Sequence, residues 1–210
     1  LGDIFDLWVG SSSVFYRKYK DVVDAIVQLK QNRNIQIIYI EGNHDMHFKK
    51  FWTRHGVEVH VDPQYLQLGP WKVRIEHGDL MNPEDTKYLK YREQIRHPRI
   101  QRLAQILPGA LIDYIGTKAS HESRKYSQIQ REEQRLELIA KIRRYAQQAW
   151  LEQPFDYFIA GHMHLVDEYQ WSMPTNTKTN SIVTAINTGS WLDKPQSLLL
   201  TNEGHRWIDI

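Results

Sequence analysis

Ile35-Gln36-Ile37-Ile38-Tyr39-Ile40-Glu41-Gly42-Asn43-His44-Asp45 is the stretch that decides the fold. Its β-branched first half reads as a buried strand. Gly42 ends that strand, because glycine lets the backbone turn sharply. An amide, an imidazole and a carboxylate follow at once. The pattern recurs twice along the chain. Val73-Arg74-Ile75-Glu76 runs into His77-Gly78-Asp79, and Tyr157-Phe158-Ile159-Ala160 runs into Gly161-His162-Met163-His164. Leu1-Gly2-Asp3 fits as a fourth exit if a strand precedes it. Ligand sites of open α/β sheets gather at the carboxyl ends of strands, so these turns are the place to look for chemistry.

The segments between them alternate in period. Val22, Val23, Ile26, Val27 and Leu29 give residues 14–31 a helical spacing, and short strands are expected near 57–61, 65–68 and 73–77. From Asn82 the reading is helical, over 84–97 and 126–151. An apolar stretch from Ile100 to Gly116 lies between the two and is interrupted at Pro108-Gly109. Strand signals return at 155–160, 182–186, 197–201 and 206–210, with a polar loop from Thr175 to Ser181. The expectation is one α/β domain over residues 1–210, with a helical insertion at about 82–151.

Composition narrows the function classes. The 210 residues contain no cysteine, which excludes disulfides, thiolate zinc sites and a cysteine nucleophile. No run approaches the ~20 apolar residues a membrane-spanning helix needs. The formal net charge of +2 hides a separation. Residues 82–150 hold 14 Lys and Arg against 8 Asp and Glu, while the rest of the chain holds 13 against 17. A basic middle in an acidic body suits a partner carrying phosphate or another anionic group. The chain opens on Leu1 without a signal-peptide pattern, so its start is expected to be an interior point of a longer chain.

Asp3, Asn43, His77, His162 and His164 are the candidate metal ligands. Carboxylate, amide and imidazole without sulfur suit hard or borderline divalent ions such as Mn, Fe or Zn. Taken singly, each has a bland reading: His77 as a satisfied core histidine, Gly42 to Asp45 as a tight turn with an Asx hydrogen bond. His162 and His164, two apart after a strand, are expected to point the same way and share a metal. The set exceeds what one ion takes, which makes Asp3 a candidate bridge between two.

In their order, these blocks resemble the calcineurin-like metallophosphoesterases. The family pattern is D-x-H, G-D, G-N-H-D or G-N-R-D, H-G-D and G-H-x-H. Four of the five blocks stand here, as Gly2-Asp3, Gly42 to Asp45, His77 to Asp79 and Gly161 to His164. The resemblance implies a β-sandwich flanked by helices, with a first strand and an Asp-x-His block before Leu1. Asp45-Met46-His47 matches the D-x-H string but lies inside the third block, and is read as a false positive.

A narrower resemblance is to the UDP-2,3-diacylglucosamine hydrolases of lipid A synthesis. It rests on Gly2-Asp3-Ile4-Phe5-Asp6-Leu7-Trp8, on Glu84-Asp85, Tyr88 and Arg92 after His77-Gly78-Asp79, on His97-Pro98, on Ser123-Arg124-Lys125 and on Thr188-Gly189-Ser190-Trp191. It implies a helical lid over acyl chains, a seat on the inner face of the bacterial inner membrane, and two divalent ions, Mn²⁺ ahead of Fe or Zn. It also implies hydrolysis of the diphosphate of UDP-2,3-diacylglucosamine to UMP and 2,3-diacylglucosamine 1-phosphate. Asn43, His77 and His162 would complete one metal site beside the Asp3 bridge, and His164 would serve the other. His44 would face the phosphate, with Asp45 fixing its tautomer. Asp85, Tyr88, Arg92, Ser123 and Arg124 would contact substrate. The basic, part-apolar stretch from Arg99 to Lys125 suits an anionic lipid surface. Alternatives are a nuclease or small phosphodiesterase, and a non-catalytic scaffold of the same fold. Nucleic acid is not expected as a partner, since the insertion has few aromatics for base stacking.

Overall fold

The computed structural model describes residues 1–33, 35–114, 116, 135–174 and 181–210. The chain is a mixed α/β protein that divides into two compact units. One comprises the described residues of Leu1–Val61 and Pro83–Glu132; the other comprises those of Asp62–Asn82 and Glu133–Ile210.

The first unit is built on short parallel pairings. Strand β1 (Trp8–Val9) pairs with β3 (Asp45–Met46), and β2 (Ile38–Ile40) pairs with β4 (Glu58–His60). The β1 register sets Trp8 against Asp45, and the Trp8 amide donates to the His44 carbonyl at 2.8 Å. Segments forty residues apart in sequence are thereby fixed side by side. Beneath them lies an aromatic core of Phe5, Trp8, Phe15, Tyr39, Phe48 and Trp52, all buried. Trp8 has its ring centroid 5.9 Å from that of Phe48 and 6.0 Å from that of Trp52. Each such ring contributes on the order of 1.5–3 kcal/mol by burial. The helix expected over 14–31 is two helices, Ser13–Lys18 and Lys20–Arg33. The break falls at Tyr19, whose ring packs 4.8 Å from Phe5 and whose hydroxyl accepts from the Leu7 amide. Core packing here overrides the helical period.

The second unit is a five-stranded sheet in the order β5-β6-β7-β9-β8. Its members are Gln64–Leu68, Trp71–Ile75, Tyr157–Ala160, Val166–Met173 and Ser181–Thr188, the last two being β8 and β9. β6, β7 and β9 run parallel, and antiparallel β5 and β8 form the edges. Helix Arg135–Glu152 buries Ile142, Ala146 and Ala149 in one cluster with Phe158, Val183 and Ala185 of the sheet. The sequence reading placed this helix at the end of the insertion, but its packing is that of a body helix. A hairpin of β10 (Gln196–Thr201) and β11 (Gly204–Asp209) completes the unit.

β8 had no expected counterpart. Its inward-facing Asp167 is buried by a two-pronged pair with Arg143 of the covering helix, at 2.7 and 3.0 Å, so charge stands where an alternating strand would be apolar. Among the described residues, no helix is long and apolar enough to cross a membrane.

Candidate functional site

Each unit carries its own part of the expected ligand set. In the first, the Asp45 carboxylate organises the turn. Its Oδ1 accepts from the backbone amides of Asp3 at 2.9 Å and Gly42 at 2.8 Å. Its Oδ2 accepts from the amides of Ile4 at 2.8 Å and Phe5 at 3.4 Å, and from the Tyr39 hydroxyl. Burial, reinforced by the neighbouring Asp3 carboxylate, raises the Asp45 carboxyl above its ordinary range. Five donors and no acceptor oppose that push, since a carboxylate only accepts. Tyr39, pushed well up by its own burial and by Asp45, stays the donor of the pair.

Asp3 has φ +54 and Gly42 is buried against it, where an added Cβ would overlap the Asp3 carboxylate. Asp3 Oδ1 in turn accepts from the His44 amide at 2.9 Å. The Gly-Asp and Gly-Asn-His-Asp blocks thus form one hydrogen-bonded knot. His44 Nδ1 lies 3.2 Å from the Asp6 carbonyl, which holds a proton on that nitrogen. Asp45, expected to set the His44 tautomer, instead ties Asp3 and Gly42 together, and the carbonyl of Asp6 takes the orienting part. His47 Nε2 donates to the Ile95 carbonyl at 2.8 Å, and burial lowers its pKa.

In the second unit, the exits of β6 and β7 meet. His162 Nδ1 lies 3.1 Å from His77 Nε2, and the Gly161 amide donates to the His77 carbonyl at 3.0 Å. His77 is 2% exposed. Two imidazole nitrogens facing at this distance fit two ligands of one ion at ~2.0–2.1 Å each. The donor chemistry of both units, oxygen and imidazole without sulfur, fits a divalent cation of the Mn, Fe or Zn type. The alternation argument for His162 and His164 does not apply. β7 ends at Ala160, and both histidines have left-handed backbones, at φ +63 and +53. Histidine and aspartate are among the non-glycine residues enriched in that region. Gly78, at φ +102, could not carry a Cβ without overlapping Met81 and the Gly161 carbonyl.

Two supports escaped the sequence reading. Buried Asn187 on β9 donates to the Gly161 carbonyl at 3.0 Å and accepts from the Gly189 amide. Its only sequence signal is an amide interrupting the apolar run before Gly189. Arg74 bonds Glu76 at 2.8 Å and the hydroxyls of Tyr65 and Tyr145. Both Arg74 and Glu76 are buried, on the strand that leads into His77.

Tyr88 and Arg92 lie on helix Thr86–Arg96 of the first unit, whose N-terminus Asp85 precedes. Asp85 is the N-cap, accepting from the Tyr88 amide at 2.9 Å, while Tyr88 and Arg92 are half-buried. Ser123 and Arg124 lie outside the described residues.

No family model matches the chain. It is similar to proteins named UDP-2,3-diacylglucosamine hydrolase. One from Vibrio cholerae serotype O1 is 27% identical over 97% of this chain and 80% of its own length. One from an Enterobacter species is 26% identical over 97% and 81%. One from Coxiella burnetii is 28% identical over 78% and 65%. The likeness read from the motifs therefore extends along nearly the whole chain.

Proposed function

We propose that this chain, a relative of the UDP-2,3-diacylglucosamine hydrolases, is itself such an enzyme. It cleaves UDP-2,3-diacylglucosamine at the α-phosphorus to UMP and 2,3-diacylglucosamine 1-phosphate. The observation that carries the substrate is the likeness over 97% of the chain to proteins of that name. Support for the chemistry comes from the knotted Asp3–Asp45 turn and the 3.1 Å His77–His162 approach.

In this reading Asp3, Asn43, His77, His162 and His164 hold two divalent ions, Mn²⁺ ahead of Fe or Zn. When bound, such ions stabilise charge on phosphoryl oxygens and activate water for in-line attack. The water oxygen bonds to the α-phosphorus as the bond to the bridging oxygen breaks. With its Nδ1 proton held by the Asp6 carbonyl, His44 presents Nε2 to the phosphate. As imidazolium it stabilises the developing charge or protonates the leaving oxygen, an effect worth ~10²–10⁴-fold. Asp45 holds Asp3 and Gly42 in place, and Asn187 holds the Gly161 turn.

Helix Pro98–Ile106 supports the lid and its membrane side. Ile100, Leu103 and Ile106 are 43%, 47% and 80% exposed, interleaved with Arg99 and Arg102. Apolar exposure beside basic residues suits acyl chains and an anionic lipid surface. The enzyme would then be a peripheral protein of the cytoplasmic face of the inner membrane. Asp85, Tyr88, Arg92, Ser123 and Arg124 would meet the substrate, Asp85 also capping helix Thr86–Arg96.

The test is UMP release from the acylated UDP-sugar by the full chain with Mn²⁺. His44→Ala should lower turnover by at least ~10²-fold with metal content nearly unchanged. Undiminished turnover in that variant would sink the role of His44. Cleavage of generic diesters without UMP release would sink the substrate.

A further inference from the structure

We propose that Arg96 is a positioning residue. It ties the C-terminal end of helix Thr86–Arg96 to the backbone of the Gly42–Asp45 turn, so that helix and metal-ligand geometry are set together. The inference deepens the proposed function, because the same helix carries Tyr88 and Arg92.

The contacts lie within the first unit and come from two consecutive residues. Arg96 Nη2 donates to the carbonyls of Glu41 at 3.3 Å and Gly42 at 3.1 Å. Arg96 Nη1 lies 3.6 Å from the Glu41 carboxylate, and the two side chains are 11% and 2% exposed. The preceding residue, Ile95, accepts from His47 Nε2 at 2.8 Å. The segment held in this way runs from Glu41 to His47 and contains Asn43, His44 and Asp45. It begins where β2 ends, so the Glu41 and Gly42 carbonyls lie past that strand. A buried carbonyl needs a donor, and the two hydrogens of the single nitrogen Nη2 serve both.

Packing alone does not account for an arginine here. Its Nε and Nη1 are buried and make no hydrogen bond among the described residues. A cavity of about 130 Å³ adjoins it, bordered by Glu41, His47, Lys49, Val61 and Gln101. A smaller apolar side chain would leave fewer polar atoms unserved. What the guanidinium supplies is the paired hold of Nη2 on the two carbonyls, with its charge beside the Glu41 carboxylate. Residues that orient ligands from one shell out commonly change metal affinity ~10–100-fold when replaced.

The experiment uses the full chain and two readouts that need no turnover. Arg96→Met removes both carbonyl bonds and keeps only an unbranched apolar stem. Amide hydrogen exchange over residues 42–47 should then quicken at least about tenfold, with the amides of β6, β7 and β9 unchanged. Mn²⁺ affinity by calorimetry should fall ~10–100-fold. Arg96→Lys, which keeps a cationic donor on a shorter side chain with a tetrahedral head, should lie between Arg96→Met and the parent on both. Should Arg96→Met not fold, Arg96→Lys decides on the same two readouts. Both changes are required. Unchanged exchange over 42–47 overturns the proposal, as does unchanged Mn²⁺ affinity or a uniform loss of protection through the first unit. A parent chain that binds Mn²⁺ but releases no UMP counts against the proposed substrate alone.

Discussion

Replacing Asp45 by asparagine separates two accounts of that residue. If Asp45 served only to tune His44, Asp45→Asn would slow turnover and leave the fold intact. The structure predicts a stability defect instead. The asparagine amide nitrogen must stand where one carboxylate oxygen stood. On the Oδ1 side it faces the amides of Asp3 and Gly42; on the Oδ2 side it faces those of Ile4 and Phe5 and the Tyr39 hydroxyl. Either way about two good charge-assisted bonds are lost, each worth ~1.5–3 kcal/mol, and buried N–H groups lose their acceptor. Removing a buried charge beside Asp3 returns part of this. The net loss should be about 2–4 kcal/mol, which for a chain of this length lowers Tm by ~4–16 °C.

Thermal and urea unfolding in chelator read this without metal. Tyr39→Phe should cost less, ~1–2 kcal/mol, because one donor leaves and the backbone amides keep their acceptor. Combined with Asp45→Asn it should show a coupling of at least ~0.5 kcal/mol. An Asp45→Asn protein within ~0.5 kcal/mol of the parent, with additive effects, would refute the assignment of Asp45 to the backbone knot, since that size is typical of surface changes.

Other outcomes follow from the same contacts. Gly42→Ala places a methyl in the Asp3 carboxylate. It should weaken Mn²⁺ binding by more than ~10-fold in a calorimetric titration, and unchanged affinity would remove Asp3 from the ligand set. Gly78→Ala meets Met81 and the Gly161 carbonyl at φ +102. It should destabilise by more than ~1 kcal/mol in urea, seen first in the amide exchange of the β6 and β7 exits. Burial holds the Glu76 carboxyl above its ordinary 4.5, partly offset by Arg74. Between the unfolded and folded pKa the native state binds more protons, so this contribution to stability is present at low pH and lost as pH rises through the raised value. Relative to Glu76→Gln, the parent should therefore lose stability with rising pH over that window and level off above it. A difference curve of opposite slope would contradict the raised pKa.

The glycine turns after β2, β6 and β7 were legible because glycine and ligand-type residues sit together at strand ends, and that signal is local. The same locality made the three core strands β2, β6 and β7 readable, though β2 is only Ile38–Ile40 where six residues were expected. What failed depends on distant partners. Tyr19 breaks a helix because Phe5 and Leu7 pull it inward, and β8 hides its pattern because Arg143 makes a buried Asp167 tolerable. Likewise, Asp45 reads from sequence as the neighbour of His44, whereas its five donors come from residues 3–5, 39 and 42. No period or spacing encodes such a convergence.

The same contrast explains why the candidate ligand positions depend on support from beyond their own turns. Asp3, His162 and His164 hold left-handed backbones, which cost on the order of 1–3 kcal/mol each for non-glycine residues and persist only where surroundings over-determine them. Glycine would relieve that cost but brings no ligand atom, so the expense falls on neighbours. Around Asp3 the neighbours are Asp45 and the Gly42 close approach. Around the Gly161–His164 turn they are Asn187 and the His77 carbonyl. Loss of a support should therefore loosen the turn before it alters any ligand's chemistry. Asn187→Ala, which removes the donor to the Gly161 carbonyl, should raise exchange in the Gly161–His164 turn while leaving the first unit's knot unchanged. Equal loosening of both would mean that the two supports are not independent.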